Sequence, residues 1–547
     1  MGKQRVSQGQ WPNWGLQDWS EFPSQDSNGG EIWGYTGKLS YAPGEELELH
    51  VNCSGKDYSI EIVRDGAEWR TVYHQEKLPA AYYPTPQNSY EVGCQWPVAH
   101  RIKIPEQWQS GAYIIILRTD HNGVMKEQEA FFTLRAASPG DKAKIALVLA
   151  TSTWQAYNNW GGASSYTNAD TSIDMTDLEA SRSEGFKPRL STQRPWGRGL
   201  IRLPQDSVRI PLKTPPPPGW AVTYPACDWA MANGFSLLAM AAGWANYDSH
   251  TARWLERNGY EIEYLCQHDL HQNPQVLDNY DCVITTGHDE YWSGPMRETL
   301  DNYIENGGNY LRLGGNIFWQ IRLEDDDQTQ VCYKYVADKS DPVRNDPATK
   351  HTITAAWEAM SLAKPAVTTF GANGTRGVYS RFGGTAPRSS GGFTVYRSDH
   401  WSLEGTDLYY GDVFGSEVPV VGYEGDGVSY TFHQGQPYPT GEDGTPENLE
   451  IVAMALATME EEDHGHYGQI LQHGDGDLSI ISAVMFGDDS EENRAKIRYG
   501  SVVMTSMPKG KGEVFCAGTT EWCYALKERD IYCETITRNV LKRFLKA

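Results

Sequence analysis

The chain has 547 residues, a formal net charge of −24 and 39% hydrophobic residues. That length exceeds one ordinary core, so two or more domains are expected. The acidic balance argues against a nucleic-acid partner, which needs basic patches, and no apolar run approaches the roughly 18 residues that cross a bilayer.

Residues 1–10 are polar and lack the apolar core of a signal peptide. Residues 1–136 read as an all-β, immunoglobulin-like sandwich. Polar and apolar residues alternate strictly in Glu46-Leu47-Glu48-Leu49-His50-Val51, after the turn signal Ala42-Pro43-Gly44-Glu45. Tyr58, Ile60 and Ile62 repeat the alternation, and further strands follow at 114–117 and 131–134. Ala136-Ala137-Ser138-Pro139-Gly140 is a linker.

From 141 to 547 the pattern changes to strands alternating with helices, the signature of a doubly wound α/β domain. Residues 145–150 form a continuous apolar run, as in a parallel strand covered on both faces. Residues 250–258 read as a helix ended by Gly259, with strands at 262–265 and 281–286. Ser293 caps a helix whose stripe is Met296, Leu300, Tyr303 and Ile304. Gly307-Gly308 stops it, and a strand at 310–313 runs into Gly314-Gly315-Asn316. A proline run at 215–218 belongs to a long loop, residues 340–440 read as β-rich insertions, and 460–463 form an acidic solvated face. A helix at 531–545 closes the chain, with Ile536, Val540, Leu541 and Phe544 inward. Nine cysteines, an odd set without framework spacing, suit reduced thiols in a cytoplasm.

Three strand ends carry polar residues. Tyr157, Asn158, Gly161 and Tyr166 follow the first strand, His288-Asp289-Glu290 the third, and Asn316-Ile317-Phe318-Trp319 the fourth. Ligands of open α/β sheets bind beyond the carboxyl ends of parallel strands, so these loops can share one small ligand. Each residue also has an ordinary reading. Among 31 tyrosines most are packing residues, and Asn158 and Gly161 suit turns. His288 can cap a helix or act as base or metal ligand, Glu290 suits a helix dipole, and Asn316 suits a left-handed turn.

The segment 313–318 has the outline of a nucleophile elbow, but Asn316 cannot attack a carbonyl. G-x-S-x-G and H-E-x-x-H are absent. If the site is catalytic, metal-activated water is the natural nucleophile.

From about 144 onward the chain resembles the large (beta) subunit of N,N-dimethylformamidase, a hydrolase with a glutamine-amidotransferase-like core. The resemblance rests on the tract around Tyr157, Ser164-Ser165-Tyr166, Gly287-His288-Asp289-Glu290-Tyr291, Asn316, Gly422-Tyr423-Glu424 and Asn539-Val540-Leu541. It implies a mononuclear, most simply ferric, iron held by Tyr157, Tyr166 and Glu290. His288 and Glu424 would be acid–base groups, and Asn316 and Lys334 would line the pocket. It also implies a small amide substrate, an oligomer and a separate small subunit. Asp289 stands where the family has proline, and no counterpart of its amino-terminal lectin-like domain is expected.

Phenolate and carboxylate are hard anionic donors suited to a hard cation. The expected reaction is attack of activated water on a small N-alkylated amide, with Trp160, Phe318 and Trp319 either walling the pocket or packing the core. Two rivals stay open: a glycan-binding protein, suggested by the sandwich and 19 tryptophans, and a zinc hydrolase using His288.

Overall fold

The computed structural model describes residues 2–5, 19–168, 183–208, 225–236, 238–377, 391–422, 424–458 and 474–545. The proline run at 215–218, the acidic run at 460–463, Tyr423 and most of residues 1–10 lie outside them.

Strict alternation becomes strand Glu46–Cys53, with Leu47, Leu49 and Val51 buried. It lies between Ile32–Thr36 and Val98–Lys103 in a three-stranded sheet. A five-stranded sheet runs Ser40–Tyr41, Val124–Leu134, Gly111–His121, Asp57–Asp65, Trp69–Pro79. Side chains from both sheets, among them Leu49, Ile62, Ile115 and Phe132, share one core.

The second half is built on a nine-stranded sheet. Its strands in chain order are β1 (Ile145–Leu149), β2 (Ile262–Cys266), β3 (Cys282–His288), β4 (Asn309–Gly315), β5 (Phe393–Val395), β6 (Val413–Phe414), β7 (Glu450–Thr458), β8 (Tyr499–Lys509) and β9 (Gly512–Cys516). The spatial order is β2-β1-β3-β4-β9-β8-β7-β5-β6. Pairing is parallel from β2 to β9 and antiparallel beyond it. Every residue of β1 is buried, which its unbroken apolar run requires of a strand covered on both faces. The chain leaves β1 for β2 on one side and returns to β3 on the other. The topological switch point therefore lies between β1 and β3, the place where open α/β sheets bind ligands beyond the strands' carboxyl ends.

Helix α1 (Thr151–Tyr157) follows β1, and α2 (Ser249–Arg257) precedes β2. A π-helical turn at Trp244–Asp248 leads into α2. Helix α3 (Gly294–Glu305) starts at Ser293, whose hydroxyl accepts from the Met296 N–H at 3.3 Å, and buries Met296, Leu300, Tyr303 and Ile304. Helix α4 (Ile531–Phe544) buries Ile536, Val540, Leu541 and Phe544. Within 340–440, β5 and β6 extend the far edge of the sheet, Tyr430–His433 pairs with Gln436–Pro439 in a separate hairpin, and short 3-10 turns occur at Pro342–Asn345, Lys350–Thr352 and Gly374–Arg376.

The halves meet through named pairs. Trp244 Nε1 donates to Asp65 at 2.7 Å, and Arg64 Nη2 lies 2.6 Å from Glu256. Trp160 packs edge-on against Trp33 and Trp96, with ring centroids 5.6 and 6.0 Å away. Trp160 thus takes its packing role, in a cluster shared with the sandwich.

Candidate functional site

The carboxyl ends of β1, β3 and β4 bring the polar residues of three loops together. Tyr157 is the last residue of α1, and Tyr166 follows on the loop beyond it. His288 ends β3, with Glu290 two residues on, and Asn316 leaves β4 in the left-handed conformation at φ 62°. Glu424 arrives on a segment that pairs with the turn after β9, and Lys334 opens a 3-10 turn after strand Thr329–Val331. All but Tyr166 are nearly fully buried. Gly287 is needed for backbone reasons. It has φ 69°, and a Cβ there would sit 2.3 Å from Tyr247 Cβ.

His288 is the centre. Its Nδ1 lies 2.9 Å from the Ala241 carbonyl, which can only accept, so a proton sits on that nitrogen. Nε2 lies 2.9 Å from Glu424 Oε2, 3.3 Å from Glu290 Oε2 and 3.2 Å from Asn316 Nδ2. Burial works against a charged ring. The Coulombic pull of Glu424 and hydrogen bonds to Glu290 and Glu424 outweigh it, holding the histidine well above its ordinary pKa. The ring thus lies between the Glu424 and Glu290 carboxyl groups, which favour its protonated form.

Phenols occupy the other side of Glu290. The Tyr166 hydroxyl donates to the carboxylate, 2.8 and 2.7 Å from its two oxygens. The Tyr157 ring lies 4.4 Å from that of Tyr166 and 5.0 Å from that of His288, centroid to centroid. Burial, then the Glu290 charge, pushes the Tyr166 phenol well above its usual range. Lys334 Nζ is 3.4 Å from the Tyr166 ring centroid and 3.2 Å from the Ser165 carbonyl. Trp319, whose ring is tilted at 48° to that of Phe318 with centroids 4.7 Å apart, is 5.3 Å from the same ammonium.

All seven residues singled out in the sequence, Tyr157, Tyr166, His288, Glu290, Asn316, Lys334 and Glu424, therefore fall in one cluster. Others were not foreseen. The Tyr291 hydroxyl donates to Tyr166 at 2.7 Å, extending the chain Tyr291–Tyr166–Glu290–His288–Glu424. Thr153 Oγ1 accepts from the Glu290 N–H at 2.9 Å and fixes its backbone. Asp426 Oδ1 accepts from the Ile317 N–H at 3.0 Å. Tyr291 was legible as a neighbour of Glu290. The Ala241 carbonyl was not, since no side-chain type announces a backbone acceptor. Asp289 turns elsewhere, accepting from Trp292 Nε1 at 2.7 Å and Gln267 Nε2 at 3.2 Å.

The donor set suits a hard cation. Phenolic and carboxylate oxygens of Tyr166 and Glu290 already converge within hydrogen-bond distance, and a polarising ion is what ionises a phenol at neutral pH. Among the described residues no group of three or more His, Cys, Asp or Glu side chains has metal-holding geometry.

Ionisable groups buried at the switch point of a parallel sheet define the class: an α/β protein with an enclosed acid–base centre. The chain belongs to the family described as N,N-dimethylformamidase beta subunit-like, C-terminal, which matches residues 60–535. The match begins within strand Asp57–Asp65, so it takes in part of the sandwich as well as the region from about 144. N,N-dimethylformamidase beta subunits of Alcaligenes sp and Paracoccus aminophilus are each 24% identical over 327 residues, 55% of this chain and 36% of the relative. The matched stretch thus covers only about a third of these curated relatives. Among solved structures, a β-D-glucuronidase from Dictyoglomus thermophilum aligns at 7% identity over 52% of this chain and 43% of its own, with a TM-score of 0.13. That likeness is too slight to carry an argument. Among the described residues no helix is long and apolar enough to cross a membrane.

Proposed function

We propose that this protein is a metal-dependent amide hydrolase that cleaves a small N-alkylated amide, such as N,N-dimethylformamide, into a carboxylic acid and an amine. The observation that carries the reading is the pairing of His288 with Glu424 and Glu290 at the switch point, with the Tyr166 phenol on the far side of Glu290. Membership of the dimethylformamidase beta subunit-like family supports the substrate class.

Tyr157, Tyr166 and Glu290 would hold the metal, with ferric iron the ion best suited to phenolate and carboxylate oxygens. When bound, such an ion polarises an amide carbonyl and acidifies water. The chain's own residues handle the protons. Hydrolysis adds water to the carbonyl carbon and breaks the C–N bond, and an amine leaves readily only once protonated. The His288–Glu424 pair takes the proton from the attacking water and returns it to the leaving nitrogen. The Ala241 carbonyl keeps the other ring nitrogen protonated, so the working edge is Nε2. Asn316 and Lys334 supply polar groups at the pocket, and Phe318 and Trp319 an apolar wall for N-alkyl groups.

The parallel order β2-β1-β3-β4 and the left-handed Asn316 after β4 support a glutamine-amidotransferase-like core in which asparagine replaces the nucleophile. The matched relatives are called beta subunits, which supports a separate small subunit working with this chain in an oligomer.

The test is metal analysis of the purified protein together with release of dimethylamine from N,N-dimethylformamide. Near-stoichiometric iron, a visible phenolate charge-transfer band and amine release are expected. A colourless, metal-free preparation with full activity overturns the reading.

A further inference from the structure

The buried guanidinium of Arg312 touches three of the segments that place residues around His288. On β4, its Nη1 is paired with the carboxylate of Asp426, and both side chains are fully buried. Nη1 also donates to the Gly314 carbonyl at 3.2 Å, and Nη2 to the Asp289 carbonyl at 3.3 Å. Asp426 in turn accepts from the Ile317 N–H at 3.0 Å, and its own N–H donates to the Gly518 carbonyl at 2.8 Å. One cation therefore reaches the residue between His288 and Glu290, the turn that carries Asn316, and the bridged segment two residues beyond Glu424. None of these bonds involves an acid–base group directly.

Such a pair is expensive as a stabilising device. Desolvating two charges offsets most of their attraction, so a hydrophobic pair of equal volume often serves stability as well. What a planar guanidinium with several fixed donors offers instead is geometry. We infer that Arg312 is a positioning residue: through Asp426 and two backbone carbonyls it sets the spacing of Glu424, Asn316 and Glu290 around His288.

Arg297 is a built-in comparison. It is equally buried and binds Thr369 Oγ1 and the carbonyls of Lys364 and Pro365 at 2.6 to 2.7 Å, on α3 and away from His288. Arg312→Lys and Arg297→Lys should therefore lose similar thermal stability, while only the first disturbs the site.

The experiment compares both variants with the full chain by two readouts. The first is the ring-nitrogen spectrum of His288 in histidine-15N-labelled protein, assigned with His288→Gln. It needs no substrate and so is independent of the hydrolase reading, on which the kinetic readout rests. The second is the separation of kcat from KM in N,N-dimethylformamide hydrolysis. Arg312→Lys should shift the His288 signal and lower kcat about 10- to 100-fold with KM within about twofold, as expected of misplaced reacting groups. Arg297→Lys should leave both unchanged. Should Arg312→Lys not fold, the double variant Arg312→Met/Asp426→Leu removes both charges together and must show the same shift. An unmoved His288 signal in the folded variant, or an equal shift in Arg297→Lys, overturns the inference. If the chain releases no amine at all, the hydrolase reading fails while the spectrum still decides the role of Arg312.

Discussion

Nε2 of His288 lies 2.9 Å from Oε2 of Glu424, and both side chains are buried. The residues are far apart in sequence, and only the return of the chain past β4 brings them together. An ion pair enclosed in this way is costly to break, because either partner alone is left as an uncompensated buried charge.

Removing the pair's proton-handling should therefore be the most damaging change. Glu424→Gln preserves shape and loses the base, so kcat for amide hydrolysis should fall about 10²- to 10⁴-fold. Circular dichroism should show the fold intact. Retention of kcat would exclude Glu424 from proton transfer.

Tyr166→Phe deletes the hydroxyl that meets both Glu290 oxygens. The expected outcome is loss of bound iron by elemental analysis and disappearance of the visible band. The same change at Tyr291, whose hydroxyl only donates to Tyr166, should leave iron bound and move the band. Identical spectra for wild type and Tyr166→Phe would remove Tyr166 from the donor set.

Dialysis against a strong iron chelator should abolish amine release, and re-addition of iron should restore it. Zinc should not restore the visible band, since its filled d shell gives no such transition. Restoration of activity by zinc alone would favour a zinc enzyme.

Asp248 supplies a pH prediction away from the donor set. Buried, it accepts from the Ala150 N–H at 3.1 Å and Trp154 Nε1 at 3.2 Å. Burial pushes its carboxyl from 3.8 up to about 8. Between those values the folded chain binds a proton that the unfolded chain has lost, so stability falls as pH rises through that window. Thermal denaturation at a series of pH values should show the decline, and Asp248→Asn should flatten it. A variant with the wild-type slope would assign the decline elsewhere.

Trp160→Ala should cost about 3–5 kcal/mol through the cavity left against Trp33 and Trp96. KM should not change, because the indole packs between the two halves of the molecule. Denaturant unfolding and steady-state kinetics together check this, and an unaltered midpoint with a raised KM would return Trp160 to the pocket wall.

Much of the fold was legible because burial imposes a period. Strict alternation marked Glu46–Cys53, and an unbroken apolar run marked Ile145–Leu149. Capping chemistry placed the start of α3 at Ser293. The strand into Gly287 was read two residues short at its carboxyl end, since the glycine bends locally while pairing continues to His288 opposite Gly315. The π-helical turn before α2 left no periodic trace. At the far edge of the sheet Phe393–Val395 and Val413–Phe414 carry too few residues to show a period, whereas the longer Glu450–Thr458 and Tyr499–Lys509 went unread.

By itself the sequence determined which side chains end each strand and what chemistry they carry: a histidine two residues before a glutamate, tyrosines after the first strand, an asparagine after a glycine pair. Local patterning reports such things because it reflects which face of a strand or helix is buried. Only the tertiary structure decided that Glu424 faces His288, that Asp289 turns away, and that Trp160 packs against the sandwich. Those outcomes depend on how distant segments cross over the sheet, and no periodicity within a single segment encodes a crossing.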